Sequence, residues 1–335
     1  MTAAGFSSRS LLDQEATIKQ FGNDLVEVVK ERTAGGKSIN LVSFLNWTTF
    51  DVLGELAFGQ SFNSLKTRQV EGWVGIILGN MKFHAWDVSL WKLPALPHIQ
   101  YWLTPVKPVE VGFKHAEDSM KKVQRRLADI TTKKRDFFSY ILPKREGLGI
   151  TDWGLASYTN ALIVASSETS ATTLSDERVY STLKAEIRGA FKTPAAITAL
   201  TLSTLPYLTA CIEEALRIYP PIPIALPRLM PKGGCVIDGY SVPGSTTVGV
   251  YAWTVTRDPR RFKDPDTFRP ECWIDNTDND NLEASRPCLA GTRMCMGINM
   301  AWIEARLFAV KLVLSFDMEM VDTTLDRNEQ ECYTL

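Results

Sequence analysis

The sequence predicts a mainly α-helical chain with small β pieces, on three observations. Apolar residues recur at helical spacing over long stretches that stop at glycines or prolines. One region, Pro221 to Gly249, is dense in Pro and Gly and carries only short β-like runs. Near the end, a glycine-rich loop opens directly onto a helix with a continuous apolar seam.

The elements follow in chain order. Leu11 to Arg32 reads as a helix stopped by Gly35-Gly36. Leu41 to Phe58 reads as a second helix, with Gly59 as its C-cap. Pro94, Pro97, Pro105 and Pro108 punctuate a Trp-rich connection. The basic stretch Lys121 to Lys134 reads as a solvated helix face. Leu155 to Thr173 is the next helix, in which Leu155, Tyr158, Leu162, Ala165, Thr169 and Thr172 form one stripe that turns small and hydroxylic halfway. Such a face leaves room for something against it. Tyr207 to Tyr219 is a helix ended by Pro220-Pro221, and Val248 to Trp253 is β-like. Asp264 to Trp273 is turn-rich, and Cys288 to Gly297 is the loop before the final helix. That helix runs from Met300 to Phe316, with Met300, Ile303, Leu307, Val310 and Leu314 as its seam and Glu304, Arg306 and Lys311 as interruptions. No internal repeat is present.

Composition narrows the function. In 335 residues, 37 Lys and Arg against 38 Asp and Glu leave a net charge of −1, which argues against a duplex nucleic-acid binder. Hydrophobic residues at 45% and charged residues at 22% are those of a folded globular chain. No apolar run approaches the roughly 18–20 residues of a membrane span, and the first residues lack the apolar stretch of a secretory signal, so neither is expected. Six cysteines without a C-x-x-C do not form a disulfide scaffold and suit a reducing compartment. Three histidines, His84, His98 and His115, are too few and too scattered for zinc hydrolysis. Gly36-Lys37-Ser38 ends like a phosphate loop, but Glu31 stands where that loop needs Gly. Neither GxGxxG nor GxSxG occurs.

Three constellations carry chemistry. In Pro287-Cys-Leu-Ala-Gly-Thr-Arg-Met-Cys-Met-Gly297, Cys295 sits at a helix N-terminus two residues after Arg293. Both features favour thiolate, and a lone thiolate among glycines suits axial ligation of a haem iron better than zinc. An ordinary half-buried cysteine is the alternative. Glu214 and Arg217, at i and i+3, share a face of an otherwise apolar helix. A surface pair is the alternative to a partly buried one. Glu168 and Thr169 place an acid beside an alcohol in the small-residue stripe, able to relay protons, although such a Thr also back-bonds to its own helix.

In this order, the three constellations resemble a cytochrome P450, a haem-thiolate monooxygenase. Phe50-Asp-Val-Leu-Gly-Glu-Leu-Ala-Phe58, Ile212-Glu-Glu-Ala-Leu-Arg-Ile-Tyr-Pro-Pro221, and Arg257-Asp-Pro259 through Phe268-Arg-Pro-Glu271 are similar to fungal members that tailor secondary metabolites. The resemblance covers nearly the whole chain. It implies a single partial P450 domain over 1–335: a helical part (1–150), an oxygen-side helix and a Glu/Arg helix (151–220), then β pieces, meander, Cys-ligand loop and final helix (221–335). It implies heme b (iron protoporphyrin IX), with Cys295 as proximal iron ligand and Arg228 and Arg293 holding propionates. Glu168 and Thr169 would deliver protons to dioxygen, and Glu214 and Arg217 would tie their helix to the meander. It further implies NADPH-cytochrome P450 reductase as partner, a lipophilic substrate such as a polyketide or terpenoid intermediate, and the endoplasmic reticulum as setting.

The chain also departs from the family pattern. The family's N-terminal portion, including the membrane anchor, is expected to have no counterpart here, and about nine residues are expected to be lost after Ser175, ~13 Å of helix. Cys272 stands in place of the third member of the Glu–Arg–Arg cluster unless Arg269 substitutes. Cys288 replaces the aromatic that shields the thiolate, Leu289 a small residue, and Ser166 a glycine. These departures set two alternatives beside the monooxygenase: a truncated non-catalytic remnant, and a haem-free helical interaction protein using the Lys121–Lys134 face.

Overall fold

In the computed structural model, residues 8–68, 117, 120, 121, 124–128, 139, 151, 177–193 and 196–321 are described. Helix α1 (Ser8–Thr33) has Leu11, Ile18, Leu25 and Val29 buried along one side, the spacing that keeps a helix stripe facing a core. Helix α2 (Leu41–Phe58) starts where the Asn40 side chain accepts from Ser43 N. It ends at Gly59, whose φ of 71° only glycine adopts without strain. Buried Asp51 on α2 then accepts from Ser64 N and Leu65 N at 2.8 and 2.9 Å, fixing the short helix α3 (Ser64–Thr67) beneath it.

Helix α4 (Glu177–Ala190) buries Val179, Leu183 and Ile187 completely, and its polar side holds two other helices in place. The short α5 (Ala199–Leu202), capped by Thr198, leads to α6 (Pro206–Ile218), whose N-cap Leu205 has no side-chain oxygen to offer. Glu186 of α4 supplies it, accepting from Tyr207 N and Leu208 N at 2.8 Å each. A carboxylate there satisfies two orphan amides and complements the helix dipole. Glu186→Ala is therefore expected to lower the urea midpoint by an amount worth about 1–2 kcal/mol, with Glu186→Gln recovering part of it.

The last helix, α8 (Ile298–Ser315), is held at its other end by α4. Arg188 donates to the carbonyls of Val313 and Phe316 at 3.0–3.1 Å, and Met318 N donates to the Tyr180 hydroxyl. α8 packs against α1, α4, α5 and α6. Its expected seam is only part of what is covered, since Ile303 and Leu314 are half-buried whereas Glu304 and Lys311 are buried. A helix packed against four others has little wet surface on which to place its charges. Lys311 reaches across Gly22 of α1, where an added Cβ would lie 2.7 Å from Lys311 Cδ, and donates to Asn23 Oδ1.

Between α6 and α8 the chain carries little regular structure. Strands β1 (Arg228–Leu229) and β4 (Thr247–Val248) pair antiparallel, as do β2 (Cys235–Ile237) and β3 (Tyr240–Val242). Asp238-Gly239, with φ of 48° and 80°, makes the turn that suits the strand twist of the second hairpin. The β-like reading of Val248 to Trp253 is corrected: β4 stops at Val248, and Ala252–Thr256 forms a short helix, α7. Trp253 N donates there to Pro223 O rather than into a ladder. Three single 3₁₀ turns follow, at Pro270–Trp273, Leu282–Ala284 and Gly291–Arg293.

The basic stretch is not a uniformly solvated face. Lys121 and Arg125 are exposed, but Arg126 is buried. The Trp-rich connection, the Leu155–Thr173 helix, the join after Ser175 and the three histidines lie outside the described residues.

Candidate functional site

The loop before α8 turns on Gly291, at φ 72°, and on Leu289, at φ 63°. Leu289 occupies the left-handed region that a side chain makes costly, which is the physical reason a small residue suits this position. Leu289 N donates to Arg286 O, and Cys295 N donates to Cys288 O at 2.9 Å. That second bond closes the loop and sets the two cysteines opposite each other.

Cys295 is exposed. The neighbouring Cys288 thiol and the backbone N–H groups of Gly297 and Ile298 lower its pKa below the ordinary thiol value, against the opposing effect of burial. The Cys288 thiol is pushed up by the neighbouring Cys295 and by its own burial. The sulfur sits at the positive end of α8, a place that favours the thiolate form. The larger influences come from Cys288 and the helix amides, not from Arg293 as its place in the sequence suggests. Arg293 is exposed, as is Arg228 on β1, whose guanidinium donates to its neighbouring Pro227 carbonyl at 3.1 Å. Neither has a carboxylate partner among the described residues.

Glu214 and Arg217 are almost fully covered. Arg217 Nε and one terminal nitrogen meet the two Glu214 oxygens at 2.8 and 2.9 Å. The remaining N–H groups donate to the carbonyls of Thr256, Pro265 and Thr267, so all five guanidinium donors have partners. Phe262 covers one face of the guanidinium at 5.0 Å. On the acid side, Arg269 N and Trp273 Nε1 donate to Glu214 at 2.8 and 2.9 Å. The place that Cys272 leaves vacant is filled by an indole N–H and a backbone amide. The Arg269 guanidinium turns instead to Lys263 O, Asp278 and Asp280. Sequence reasoning missed Trp273, although it directly follows Cys272 and carries the one N–H donor an indole offers.

Glu168 and Thr169 lie outside the described residues. Among the described residues no three His, Cys, Asp or Glu side chains gather as a metal site. A single exposed thiolate is the wrong donor set for a bare ion. It fits a metal that brings its other ligands with it, as haem iron does, and two unpaired guanidiniums suit the propionates of such a group.

A model of the cytochrome P450 family matches residues 1–333. The chain belongs to the cytochrome P450 family. This P450 is 35% identical to the cytochrome P450 monooxygenase cpaH of Aspergillus oryzae, over 99% of this chain and 66% of that one. It is equally similar to the cytochrome P450 monooxygenase aba2 of Botryotinia fuckeliana, over 95% of this chain and 63% of that one. The chain thus spans about two thirds of the length of the curated relatives it matches. The P450 fold is shared with the heme domain of cytochrome P450DA, at a TM-score of 0.75 and 18% identity over 93% of this chain and 68% of that one. Heme b is the cofactor of this family. No helix among the described residues is long and apolar enough to cross a membrane.

Proposed function

We propose that Cys295 is the axial thiolate of heme b and that this P450 is a monooxygenase. It hydroxylates or epoxidises a lipophilic small molecule of fungal secondary metabolism, of polyketide or terpenoid type. The observation that carries the reading is Cys295, exposed just before the N-terminus of α8 in a loop closed by the bond from its backbone N–H to Cys288 O. When bound, haem supplies activation of dioxygen at iron. The chain's own residues prepare the place. The amides of Gly297 and Ile298 favour the charged form of the sulfur, and Arg293 and Arg228 offer charge for two propionates. Glu214 and Arg217 anchor α6 to the meander that precedes the loop. Glu168 and Thr169 move protons on the oxygen side, an assignment that rests on their resemblance to the family's acid–alcohol pair. Electrons come from NADPH through NADPH-cytochrome P450 reductase, at the endoplasmic reticulum. The fungal monooxygenases among the relatives support the reaction type.

The test is the carbon-monoxide difference spectrum of the reduced protein expressed with haem supplied. Wild type and Cys288→Ala are expected to give the Soret band of a thiolate-ligated ferrous haem, and Cys295→Ala to lose it. Loss in Cys288→Ala alone would move the ligand to Cys288.

A further inference from the structure

We propose that Met230 and Cys235 form a surface site for a soft monovalent metal ion, Cu(I), separate from the haem loop. The observation is a contact between two sulfurs: Cys235 Sγ lies 3.1 Å from Met230 Sδ. A thiolate and a thioether are both soft donors, the kind of ligand that selects Cu(I) over harder ions. Both side chains are half-buried, so an ion reaches them without opening the core. The backbone holds the pair in register. Met230 N donates to Thr246 O at 2.9 Å, and Met230 O accepts from Ser245 N at 3.3 Å. Cys235 stands opposite Val242 in the β2–β3 pair, so the single run of residues 242–246 positions both sulfurs. The connection between them folds tightly, with Gly234 N donating to Pro231 O at 2.8 Å. Two glycines let it lie flat: a Cβ on Gly234 would stand 2.5 Å from Val242 O, and one on Gly244 2.0 Å from Lys232 O.

The charge and the geometry both suit a monovalent ion. On binding, the Cys235 thiol gives its proton to water, and the thiolate and Cu(I) sum to zero charge with no change of oxidation state. Metal–sulfur bonds of about 2.3 Å meeting at about 120° need the sulfurs roughly 4 Å apart. Met230, unbranched and with three rotatable bonds, supplies the extra ~1 Å while the backbone stays where it is. Harder ions are poorly served. Zn(II) takes four ligands and Ca(II) six or more oxygens, whereas among the described residues no three His, Cys, Asp or Glu side chains gather. Neither sulfur belongs to the proposed haem site, so this inference and the assignment of Cys295 stand or fall separately.

The test is protection of Cys235 from alkylation in the full chain. Cu(I), supplied as its bicinchoninate complex under argon with ascorbate, is added before a short pulse of iodoacetamide, and the protein is then quenched and digested with trypsin. The peptide of residues 233–257 carries Cys235 as its one cysteine, so copper held at the Cys288–Cys295 loop does not enter the readout. Cu(I) is expected to protect Cys235, and Zn(II) to leave it reactive. Met230→Leu, which conserves volume, is expected to raise the copper level for half protection at least about tenfold, a direct ligand being worth no less than the ~10–100-fold of a ligand's outer partners. Met230→His, which returns a donor atom, is expected to recover protection. Cys235 alkylated at the same rate with and without Cu(I) in the wild-type chain overturns the site. Equal protection by Zn(II) overturns its softness. Protection in a folded Met230→Leu chain at the wild-type copper level overturns the part of Met230. The wild-type arms decide the first two points even if a variant fails to fold.

Discussion

Arg217→Ala is expected to destabilise the chain by about 3–5 kcal/mol, the loss that follows when one member of a buried ion pair is removed and the other stays charged in place. The substitution strips two hydrogen bonds from Glu214, which is almost fully buried. It also leaves the carbonyls of Thr256, Pro265 and Thr267 without their donor. Urea denaturation followed by circular dichroism measures the effect. Arg217→Lys is expected to recover only part of it, because an ammonium cannot span two carboxylate oxygens and three carbonyls from one point. A double variant, Glu214→Gln with Arg217→Met, should be less destabilised than Arg217→Ala, since no unpaired charge remains. A loss below about 1 kcal/mol, the range of exposed pairs, would show that solvent reaches the cluster.

The second large effect concerns pH. Glu304 is buried in α8, its Oε1 has no hydrogen-bond partner among the described residues, and burial raises its pKa from 4.5 to about 8. The folded chain therefore binds a proton that the unfolded chain gives up. Stability from this group is fully present below about pH 4.5, falls as pH rises from there toward 8, and levels off above it. At about 1.4 kcal/mol per pH unit, the loss reaches about 3 kcal/mol by pH 7. Glu304→Gln keeps the shape and removes the titration. Its denaturation midpoint should match wild type at pH 4.5 and exceed it increasingly up to pH 8. Equal midpoints across that range would mean that Glu304 finds water or a partner. Asp51 and Glu213 are also raised by burial, so the readout is the difference between variant and wild type rather than the slope of either.

What the sequence made legible was whatever is decided locally. Gly59 marks the end of α2 by its own backbone chemistry, and the helix runs over Leu41–Phe58 as expected. The Cys288–Gly297 loop announces itself through Gly291 and Gly297, and the structure places it at the start of α8. What depends on a partner far along the chain was not legible. Glu304 and Lys311 look like breaks in a seam until α1 and its Gly22 are laid across them. Cys272 looks like a defect in the Glu214 cluster until the turn at Pro270–Trp273 swings Trp273 Nε1 onto the carboxylate. Cys288 comes beside Cys295 only because the loop closes on itself through the bond from Cys295 N to Cys288 O. Glu186 as the cap of α6 carries no local signal, since the helix it caps begins 20 residues later.

The five donors of Arg217 have a kinetic meaning. Residues 252–273 hold one short helix and one 3₁₀ turn, and three of their carbonyls, with the Arg269 amide and the Trp273 indole, close on a single ion pair of α6. A segment whose order is borrowed in this way opens when α6 does, not before it. Amide hydrogen exchange should show the Arg269 N–H of this outwardly irregular stretch exchanging at the rate of the α6 core amides, as one cooperative unit. The loop that carries Cys295 lies further along the same chain, beyond the turn at Leu282–Ala284, so a segment leading toward it has the lifetime of a helix although it has almost none of a helix's own bonds.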